Sequence, residues 1–457
     1  MKENKHQLNR RDALKLAGIG GASVLLGSSE AQASATGPQK KPSKKKPLRI
    51  VIIGGGMAGT TLAYRLRRAI TWPKITVFEP LRNSAWYQPG LTMMGTGLWC
   101  EKYLEYKRKE FIPEGITWVE SSVTSVDTQN NSVKDATGKE TPYDYLVIAS
   151  GAVLDYAAID GLEGEIASLQ MLEKKAAWMD DPSVGSIYYF HGAAQLHEQF
   201  NTIVQKAVEL KEGKLTLLFT QQSISVKSPG AAKSALFTLV HKLKDAGVRK
   251  KVELVVTSGD GKLSANEKYD AVYRKEFKKE GIVFKTAMLS HVDLTSRTVT
   301  FDSGDTQTYD YLHITPSMKA DEHLAQSGLT DSNGWIEVEE STLQHKRFSN
   351  IFAVGDAAGT SALKTGAAIV DQVKTVVDTI RSIDEGKKPT VTYEGYGCDT
   401  ILCTKKKSVL FEAYDKHKNP LGLLEFLNPL KCHEVYWYLN SRMLKPYVMY
   451  GVMRGWA

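Results

Sequence analysis

Apolar runs alternate with amphipathic segments from about residue 49 onward. Residues 50–53 form a continuous apolar run typical of a buried strand, and residues 60–69 have the spacing of a helix. Residues 75–79 then repeat the strand pattern. A strand, a helix and a strand in this order make a parallel βαβ unit. The pattern therefore predicts a doubly wound sheet at the start of the chain.

The same alternation recurs between about residues 185 and 300, which predicts a second doubly wound unit. The expected strands are 186–190, 214–219 and 251–256, and the expected helices are 231–244 and 269–279. A later strand over 350–355, followed by a helix, indicates that the chain returns to the first unit.

These patterns predict an α/β fold with two Rossmann-like dinucleotide-binding domains, of which the first is discontinuous and the second degenerate. The 457 residues are too many for one ordinary hydrophobic core, which agrees with two domains. In chain order we expect a signal peptide over 1–33, a basic linker over 34–48, a first domain over 49–160 and 310–390, a second domain over 161–309, and a C-terminal segment over 391–457.

A glycine motif lies between the first strand and the first helix. Gly54, Gly56 and Gly59 have the spacing that permits a tight turn, a close backbone approach to a pyrophosphate, and contact between helix and strand. Glu79 ends the next strand, twenty residues after Gly59, where a carboxylate can accept hydrogen bonds from a ribose diol. The sequence therefore predicts a dinucleotide site here.

The second unit lacks this motif. Its first expected strand leads into residues 190–197, which contain one glycine, Gly192, where a nicotinamide-binding copy needs three. The backbone there is poorly suited to hold a second pyrophosphate. This argues against NAD(P)H as an obligate partner.

A second motif late in the chain favours a flavin. Gly355 and Asp356 end a strand, and Lys364 precedes a helix, which in a flavin fold places a carboxylate at the ribitol and a helix N-terminus at the pyrimidine side of the ring. Ser150 and Gly151 end another strand, where the chain must turn beside the cofactor. An aromatic loop over 84–92 is suited to cover a ring system.

Charge excludes few functions. The formal net charge is +8, spread thinly, and no arginine-rich stripe favours nucleic acid. The densest basic cluster, 40–46, is interpreted first as part of a solvated linker and second as a site for anionic lipid or an acidic partner.

The N-terminus resembles a twin-arginine export signal. Arg10 and Arg11 precede an apolar run, and residues 31–33 read Ala-Gln-Ala, a small-residue cleavage pattern. This route exports folded proteins, so we expect an enzyme that acquires its cofactor in the cytoplasm and works in the periplasm.

The last residues, 430–457, combine aromatic and basic side chains. This mixture suits a segment that lies in a bilayer interface, and it equally suits a helical cap on the core or a dimer contact. Peripheral membrane contact and a homo-oligomer therefore both remain open.

The order of the motifs resembles the sulfide:quinone oxidoreductases, above all the mitochondrial-type branch, over nearly everything from residue 49 to the end. The particular features are the Trp-Tyr-Gln-Pro loop containing Gln88 and Pro89, the Tyr-Glu-Gly-Tyr segment 393–396, and the tail 449–456. The flavoprotein subunit of flavocytochrome c sulfide dehydrogenase is a related family, but it attaches flavin through a cysteine in the aromatic loop. No cysteine lies between residues 82 and 99, so non-covalent FAD is expected.

The resemblance also implies a pair of cysteines near the flavin that pass sulfur and electrons. Ser228 stands where the first sulfur is expected, and near the second position the chain offers Cys398, within one residue, and Cys403. A serine can neither form a disulfide nor carry a persulfide. The relay of the family is therefore broken in this chain.

Three interpretations follow. In the first, Cys398 and Cys403 replace the lost pair, and the protein still oxidises sulfide or a thiol-like donor. In the second, Ser228 marks a different donor, and electrons pass to a quinone or cytochrome without a sulfur relay. In the third, the protein is a non-catalytic flavoprotein scaffold. A structural disulfide between Cys398 and Cys403 is the alternative to a redox role.

The expected function is that of an exported FAD-dependent oxidoreductase that passes electrons from sulfide or a related donor through FAD to a quinone or cytochrome. No metal site is expected. The expected catalytic residues are Cys398, Cys403, Ser228 and Lys364, and the expected FAD-binding residues are Gly54, Gly56, Gly59, Glu79, Gln88, Pro89, Val123 beside the adenine, Ser150, Gly151, Gly355, Asp356 and Lys364.

Overall fold

A computed structural model describes residues 46–163, 176–413 and 426–457. The expected signal peptide and most of the basic linker lie outside these residues. Two parallel sheets form the centres of the two domains, and smaller antiparallel sheets and a C-terminal hairpin surround them.

The strands are numbered in chain order. They are β1 Leu48–Ile53, β2 Pro73–Phe78, β3 Ala85–Trp86, β4 Glu105–Tyr106, β5 Thr117–Val119, β6 Val123–Asp127, β7 Ser132–Asp135, β8 Glu140–Pro142, β9 Tyr145–Ile148, β10 Val153–Asp155, β11 Val184–Gly185, β12 Leu215–Gln221, β13 Val252–Ser258, β14 Ile282–Thr286, β15 Leu289–Asp293, β16 Thr298–Phe301, β17 Thr306–Thr308, β18 Tyr311–Thr315, β19 Ser317–Lys319, β20 Ile351–Ala353, β21 Gly397–Thr404 and β22 Lys407–Ala413.

The α-helices are numbered in the same way. They are α1 Met57–Ala69, α2 Leu91–Gly95, α3 Glu101–Leu104, α4 Phe190–Glu209, α5 Gly230–Asp245, α6 Glu267–Glu280, α7 Glu322–Gln326, α8 Gly366–Asp384, α9 Glu434–Tyr438 and α10 Leu444–Pro446. Two π-helical stretches, Leu439–Met443 and Tyr447–Val452, continue the C-terminal helical run.

The first domain contains a sheet in the order β20-β9-β1-β2-β5. Its neighbours pair in parallel, so the strands end at one edge, where the loops after β1, β9 and β20 meet. Because both faces of this sheet are covered, the last four residues of β1, 50–53, form a continuous apolar run, and all four are buried. The discontinuous first domain is confirmed, since β20 pairs with β9 from the early part of the chain.

The second sheet has the order β11-β18-β12-β13-β14, again with parallel neighbours. This confirms the second doubly wound unit, with two corrections. The strand expected over 186–190 is the short β11, Val184–Gly185, and α4 already begins at Phe190. The boundary expected at residue 310 is also wrong, because β18, Tyr311–Thr315, lies between β11 and β12 in the second sheet.

The C-terminal segment is joined to both domains. The hairpin of β21 and β22 packs beside α5 of the second domain, where a Cβ added to Gly230 would lie 2.7 Å from Ile401 Cγ1. The final helical run buries Val448, Met449, Val452 and Met453 in a cluster with Tyr87 and Phe111 of the first domain. In the part of the chain that the structure describes, no helix is both long and apolar enough to cross a membrane.

Candidate functional site

A cleft opens where the two parallel sheets meet, and it encloses about 1620 Å³ of space that protein atoms do not fill, part of it open to solvent. The loops after β1, β9 and β20 contribute one side, and the loop before α5 contributes the other. The carboxyl edge of a parallel sheet is where such folds bind their ligands. The expected site residues that line the cleft are Gly54, Gly56, Gln88, Pro89, Ser150, Gly151, Ser228, Gly355, Asp356 and Lys364.

The glycine loop after β1 has the shape that a pyrophosphate requires. Gly54 has φ +99°, and a Cβ there would lie 2.4 Å from the carbonyl oxygen of Ala149. A Cβ on Gly59 would lie 1.9 Å from the oxygen of Gly54, so this glycine allows α1 to approach the loop. Gly56 has no protein atom within 4 Å of its Cβ position. The loop is therefore closed toward the protein and open toward the cleft, as a bound phosphate needs.

Glu79 does not face the cleft, which corrects the expectation that it meets the ribose. Its carboxylate is fully buried and accepts hydrogen bonds from the backbone N–H groups of Gly55, at 2.9 Å, and Leu81, at 3.1 Å. It also forms an ion pair with Arg108. Glu79 thus supports the glycine loop from behind. The side chain that reaches the cleft from this pair is Arg108, and no sequence motif singled it out.

Val123 also lies away from the cleft. It is buried in the core of the first domain on β6, in a small antiparallel sheet with β7 and β8. Val123 is therefore not among the residues that line the cleft, and its expected contact with the adenine stays a prediction.

Lys364 is held against the loop that follows β20. Its Nζ donates hydrogen bonds to the carbonyl oxygens of Asp356, at 3.0 Å, and Ala358, at 2.6 Å, and lies 3.7 Å from the centre of the Trp335 ring. Burial lowers the pKa of Lys364 to about 8, and the Asp356 carboxylate opposes that shift. Burial likewise raises the pKa of Asp356, against the attraction of Lys227 and Lys364.

Lys227 is a second buried cation in the cleft, and no sequence motif indicated it. Its Nζ donates to Gln88 Oε1 at 3.1 Å. Burial lowers the pKa of Lys227, while the Asp356 carboxylate raises it. Two ammonium groups and one carboxylate therefore lie at this end of the cleft, which favours a small anion or developing negative charge.

Ser228, next in the chain, begins the turn of residues 228–230, here named the Ser228 turn. Ser228 has φ +42°, in the left-handed region that side chains rarely adopt. Its backbone N–H donates to the oxygen of Lys364 at 2.8 Å, and Tyr188 Oη donates to its carbonyl oxygen at 3.3 Å. Such strain is typical of residues held for function.

The cysteines do not form a relay in this structure. Cys403 forms a disulfide with Cys432. This bond contradicts two expectations, that Cys403 forms a redox pair with Cys398 and that it forms a structural disulfide with Cys398. Cys398 is free but does not line the cleft. Burial raises the pKa of its thiol well above the usual value, and the charges of Glu412 and Asp399 add to that effect, so the nucleophilic thiolate is disfavoured. Within the described residues, no cysteine lines the cleft.

The residues of the cleft fit FAD. The open position at Gly56 suits the pyrophosphate, and the buried hydroxyl of Ser150 and Nε of Arg108 have no hydrogen-bond partner in the protein. Buried polar groups normally find a partner, so these atoms indicate a polar ligand. Among the described residues, no group of three or more His, Cys, Asp or Glu side chains could hold a metal ion.

The comparisons with known proteins agree with this geometry. Residues 48–184 match the family model of the pyridine nucleotide-disulphide oxidoreductases. The chain is 30% identical over 387 residues to the mitochondrial sulfide:quinone oxidoreductase of Dictyostelium discoideum, covering 83% of this chain and 81% of the relative. It is 28% identical to the mouse mitochondrial enzyme, covering 90% of this chain and 87% of that protein.

A solved structure shows the same fold. The sulfide:quinone oxidoreductase of Aquifex aeolicus superimposes with a TM-score of 0.68, at 18% sequence identity, and covers 89% of this chain and 92% of its own. At that identity the similarity concerns the fold alone.

Proposed function

Because this chain belongs to the sulfide:quinone oxidoreductase family, and is therefore an FAD-dependent oxidoreductase with non-covalently bound FAD, we propose that it takes electrons from sulfide or a related small sulfur donor. The observation that carries the proposal is the buried pair of Lys227 and Lys364 beside Ser228. A small anion such as hydrosulfide is stabilised at such a position, because opposite charges attract strongly where water is excluded. FAD, when bound, accepts two electrons from a donor.

The residues that line the cleft would have separate roles. The glycine loop and Arg108 would hold the phosphates, and Ser150 would donate to the cofactor. Lys364 would stabilise negative charge at the cofactor ring, and Lys227 would hold the donor anion near Ser228. Both ammonium groups are buried, so little water reaches them. Charge interactions at that end of the cleft are therefore stronger than in water.

A second candidate is favoured by Ser228 itself. The cleft lining contains a hydroxyl where the resemblance implies sulfur, and no described cysteine takes its place. A flavoprotein that oxidises a different donor without a sulfur relay, or one that binds FAD without turnover, is consistent with that observation.

We propose a quinone or a c-type cytochrome as acceptor, with a quinone favoured by the tail. Val448 and Met453 of the final helical run line the cleft, while Tyr450 and Trp456 in the same run are 65% and 68% exposed. The run thus extends from the cleft to an aromatic surface that also carries Arg454. Such a surface suits peripheral contact with a bilayer, from which a quinone would enter.

We also propose that the protein is exported by the twin-arginine route and works in the periplasm. Support comes from Arg10 and Arg11 in the sequence and from the Cys403–Cys432 disulfide, a bond that persists in oxidising compartments. Fractionation of cells that express the full chain or the Arg10→Lys/Arg11→Lys variant tests this. A periplasmic wild type and a retained variant are expected; equal distribution would reject the route.

The donor is tested by anaerobic titration of the FAD-loaded protein. Sulfide is expected to bleach the flavin absorbance stoichiometrically, and reoxidation by a short-chain quinone should exceed reoxidation by a c-type cytochrome. Absence of bleaching by sulfide would reject the sulfur donor. Bleaching by another donor would then support the second candidate, and resistance to sulfide, thiols and NAD(P)H would support a scaffold.

Membrane contact is tested by flotation with vesicles that contain anionic lipid. The wild type is expected to float, and Trp456→Ser/Tyr450→Ser is expected to float less. Trp72→Ser is the matched control, because Trp72 is 69% exposed on another part of the first domain. Equal flotation of all three proteins would reject the tail as the contact.

A further inference from the structure

The strand β21 passes beside the start of α5, and successive side chains of a strand point to opposite faces. A Cβ added to Gly230 would lie 2.9 Å from Asp399 Oδ2, so Asp399 points toward the Ser228 turn. Cys398 pairs across the hairpin with Glu412, and the charge of Glu412 acts on its thiol. The residue of this strand that contacts the Ser228 turn is therefore Asp399, and Cys398 lies on the other face.

A direct hydrogen bond joins Asp399 to the turn. The backbone N–H of Gly230 donates to Asp399 Oδ2 at 2.6 Å. Gly230 also begins α5, whose first N–H groups have no partner within the helix, so a carboxylate is stabilised there by the helix dipole. The close approach leaves no room for a side chain at Gly230.

The turn needs such support because Ser228 has a left-handed backbone. On the side of the cleft, Ser228 N donates to the oxygen of Lys364, and within the turn Ala231 N donates to the oxygen of Ser228 at 2.9 Å. Asp399 supplies the contact on the side of the hairpin. The three contacts together fix the backbone that presents Ser228.

Behind the turn, the half-buried Asp399 lies beside the buried polar side chains of Lys233 and Gln221. Lys233 Nζ donates to Gln221 Oε1, and the charges of Lys233 and Asp399 attract each other. Burial raises the pKa of Asp399 to about 6 and lowers that of Lys233 to about 8, each against that attraction. The other titratable groups that sense the Asp399 charge are Tyr188, Tyr273 and Cys398.

We propose that Asp399 is a positioning residue for the donor end of the cleft, and that its carboxylate holds the Ser228 turn in the backbone conformation that presents Ser228 to the donor. The carboxylate is not part of the cleft lining, so Asp399 acts on the donor end through the turn that it holds. Neither a hydroxyl nor a carboxylate can form a disulfide or carry a persulfide, so neither group acts as a sulfur acceptor. The identity of the donor rests on the proposed function; the positioning role of Asp399 does not.

Two substitutions at Asp399 test the positioning role in the FAD-loaded protein. Asp399→Asn keeps an oxygen that can accept from Gly230 N, and Asp399→Ala removes it. In Asp399→Ala, the flavin absorption spectrum is expected to shift, and the rate at which sulfide reduces the flavin is expected to fall at least tenfold. In Asp399→Asn, the spectrum and the rate are expected to return much of the way to those of the wild type. Asp310→Asn is the matched control, since Asp310 accepts from Thr216 N at 2.7 Å elsewhere in the second domain.

A wild-type spectrum and rate in Asp399→Ala would overturn the proposal. If sulfide does not reduce the wild type, the proposed function fails. The flavin spectra still test the positioning role of Asp399, because recording them requires no donor. A spectral shift confined to Asp399→Ala then supports the positioning role by itself.

Cysteine substitution tests the geometry independently. Ser228→Cys is expected to form no bond to Cys398, as judged by peptide mapping under non-reducing conditions. A bond to Cys398 in this variant would show that Cys398, and not Asp399, faces the Ser228 turn, and would overturn the proposal.

Discussion

Lys227 Nζ donates a hydrogen bond to Gln88 Oε1 at 3.1 Å, and this contact joins the loop before α5 in the second domain to the aromatic loop of the first domain. The donor end of the cleft is therefore built from both domains. Its charge depends on an ammonium group that the surrounding protein holds away from water.

Lys227→Met should slow reduction of the flavin by sulfide at least tenfold while FAD content stays unchanged. The reason is that the methionine keeps the apolar stem and removes the charge that attracts the donor anion. Stopped-flow absorbance measures the rate. Lys242→Met is the control, because Lys242 also donates to a side-chain amide oxygen, that of Asn201, at 2.6 Å. Equal rates in both variants would exclude Lys227 from donor binding.

Arg108→Met should lower the free energy of unfolding by about 3–5 kcal/mol, because it leaves the fully buried carboxylate of Glu79 without its charged partner. Arg82→Met breaks an exposed ion pair with Glu120 and should cost at most about 1 kcal/mol. Urea unfolding with excess FAD measures both. Similar losses in the two variants would contradict the distinction between the buried and the exposed pair.

Cys403→Ser should lower the free energy of unfolding by about 3–4 kcal/mol, because the bond to Cys432, at a sequence separation of 29, restricts the unfolded chain. Cys100→Ser replaces an exposed free thiol and should have little effect. Thermal unfolding without reductant compares the stabilities of the two variants with that of the wild type. Alkylation of Cys403 and Cys432 in the unreduced protein would show that the bond is absent.

Cys398 should react slowly with iodoacetamide at pH 8, whereas Cys100 reacts readily, because burial raises the pKa of the Cys398 thiol and Cys100 is exposed. Mass spectrometry of the native protein follows both sites. Cys398→Ser should keep the rate of flavin reduction within about twofold, since the thiol lies outside the cleft lining. A tenfold fall in that rate would show that Cys398 takes part in the reaction.

The carboxyl of Asp399 should make stability depend on pH. Its pKa is raised from 3.8 to about 6 on folding, so its favourable contribution is complete below about pH 4 and is lost as the pH rises through 6. Asp399→Asn should therefore flatten the fall in the free energy of unfolding between pH 4 and pH 7. Denaturant titrations at several pH values measure this. An unchanged profile in the variant would contradict the assignment.

The sequence by itself determined the parts of the fold that depend on local patterns. The apolar run of β1 and the spacing of Gly54, Gly56 and Gly59 predicted a parallel sheet and its phosphate loop, because a buried strand and a tight turn each restrict residue type. The pairing of the early and late parts of the first domain followed from the second motif at Gly355 and Asp356.

The tertiary structure alone decided which side chains meet. Glu79 lies behind the glycine loop because Arg108, distant in sequence, supplies its counter-charge. The sequence placed Cys398 within one position of an expected sulfur, yet a shift of one residue along a strand reverses the face to which a side chain points. Asp399 therefore reaches the Ser228 turn, and Cys398 does not. Such contacts depend on packing between elements far apart in the chain, which no local pattern specifies.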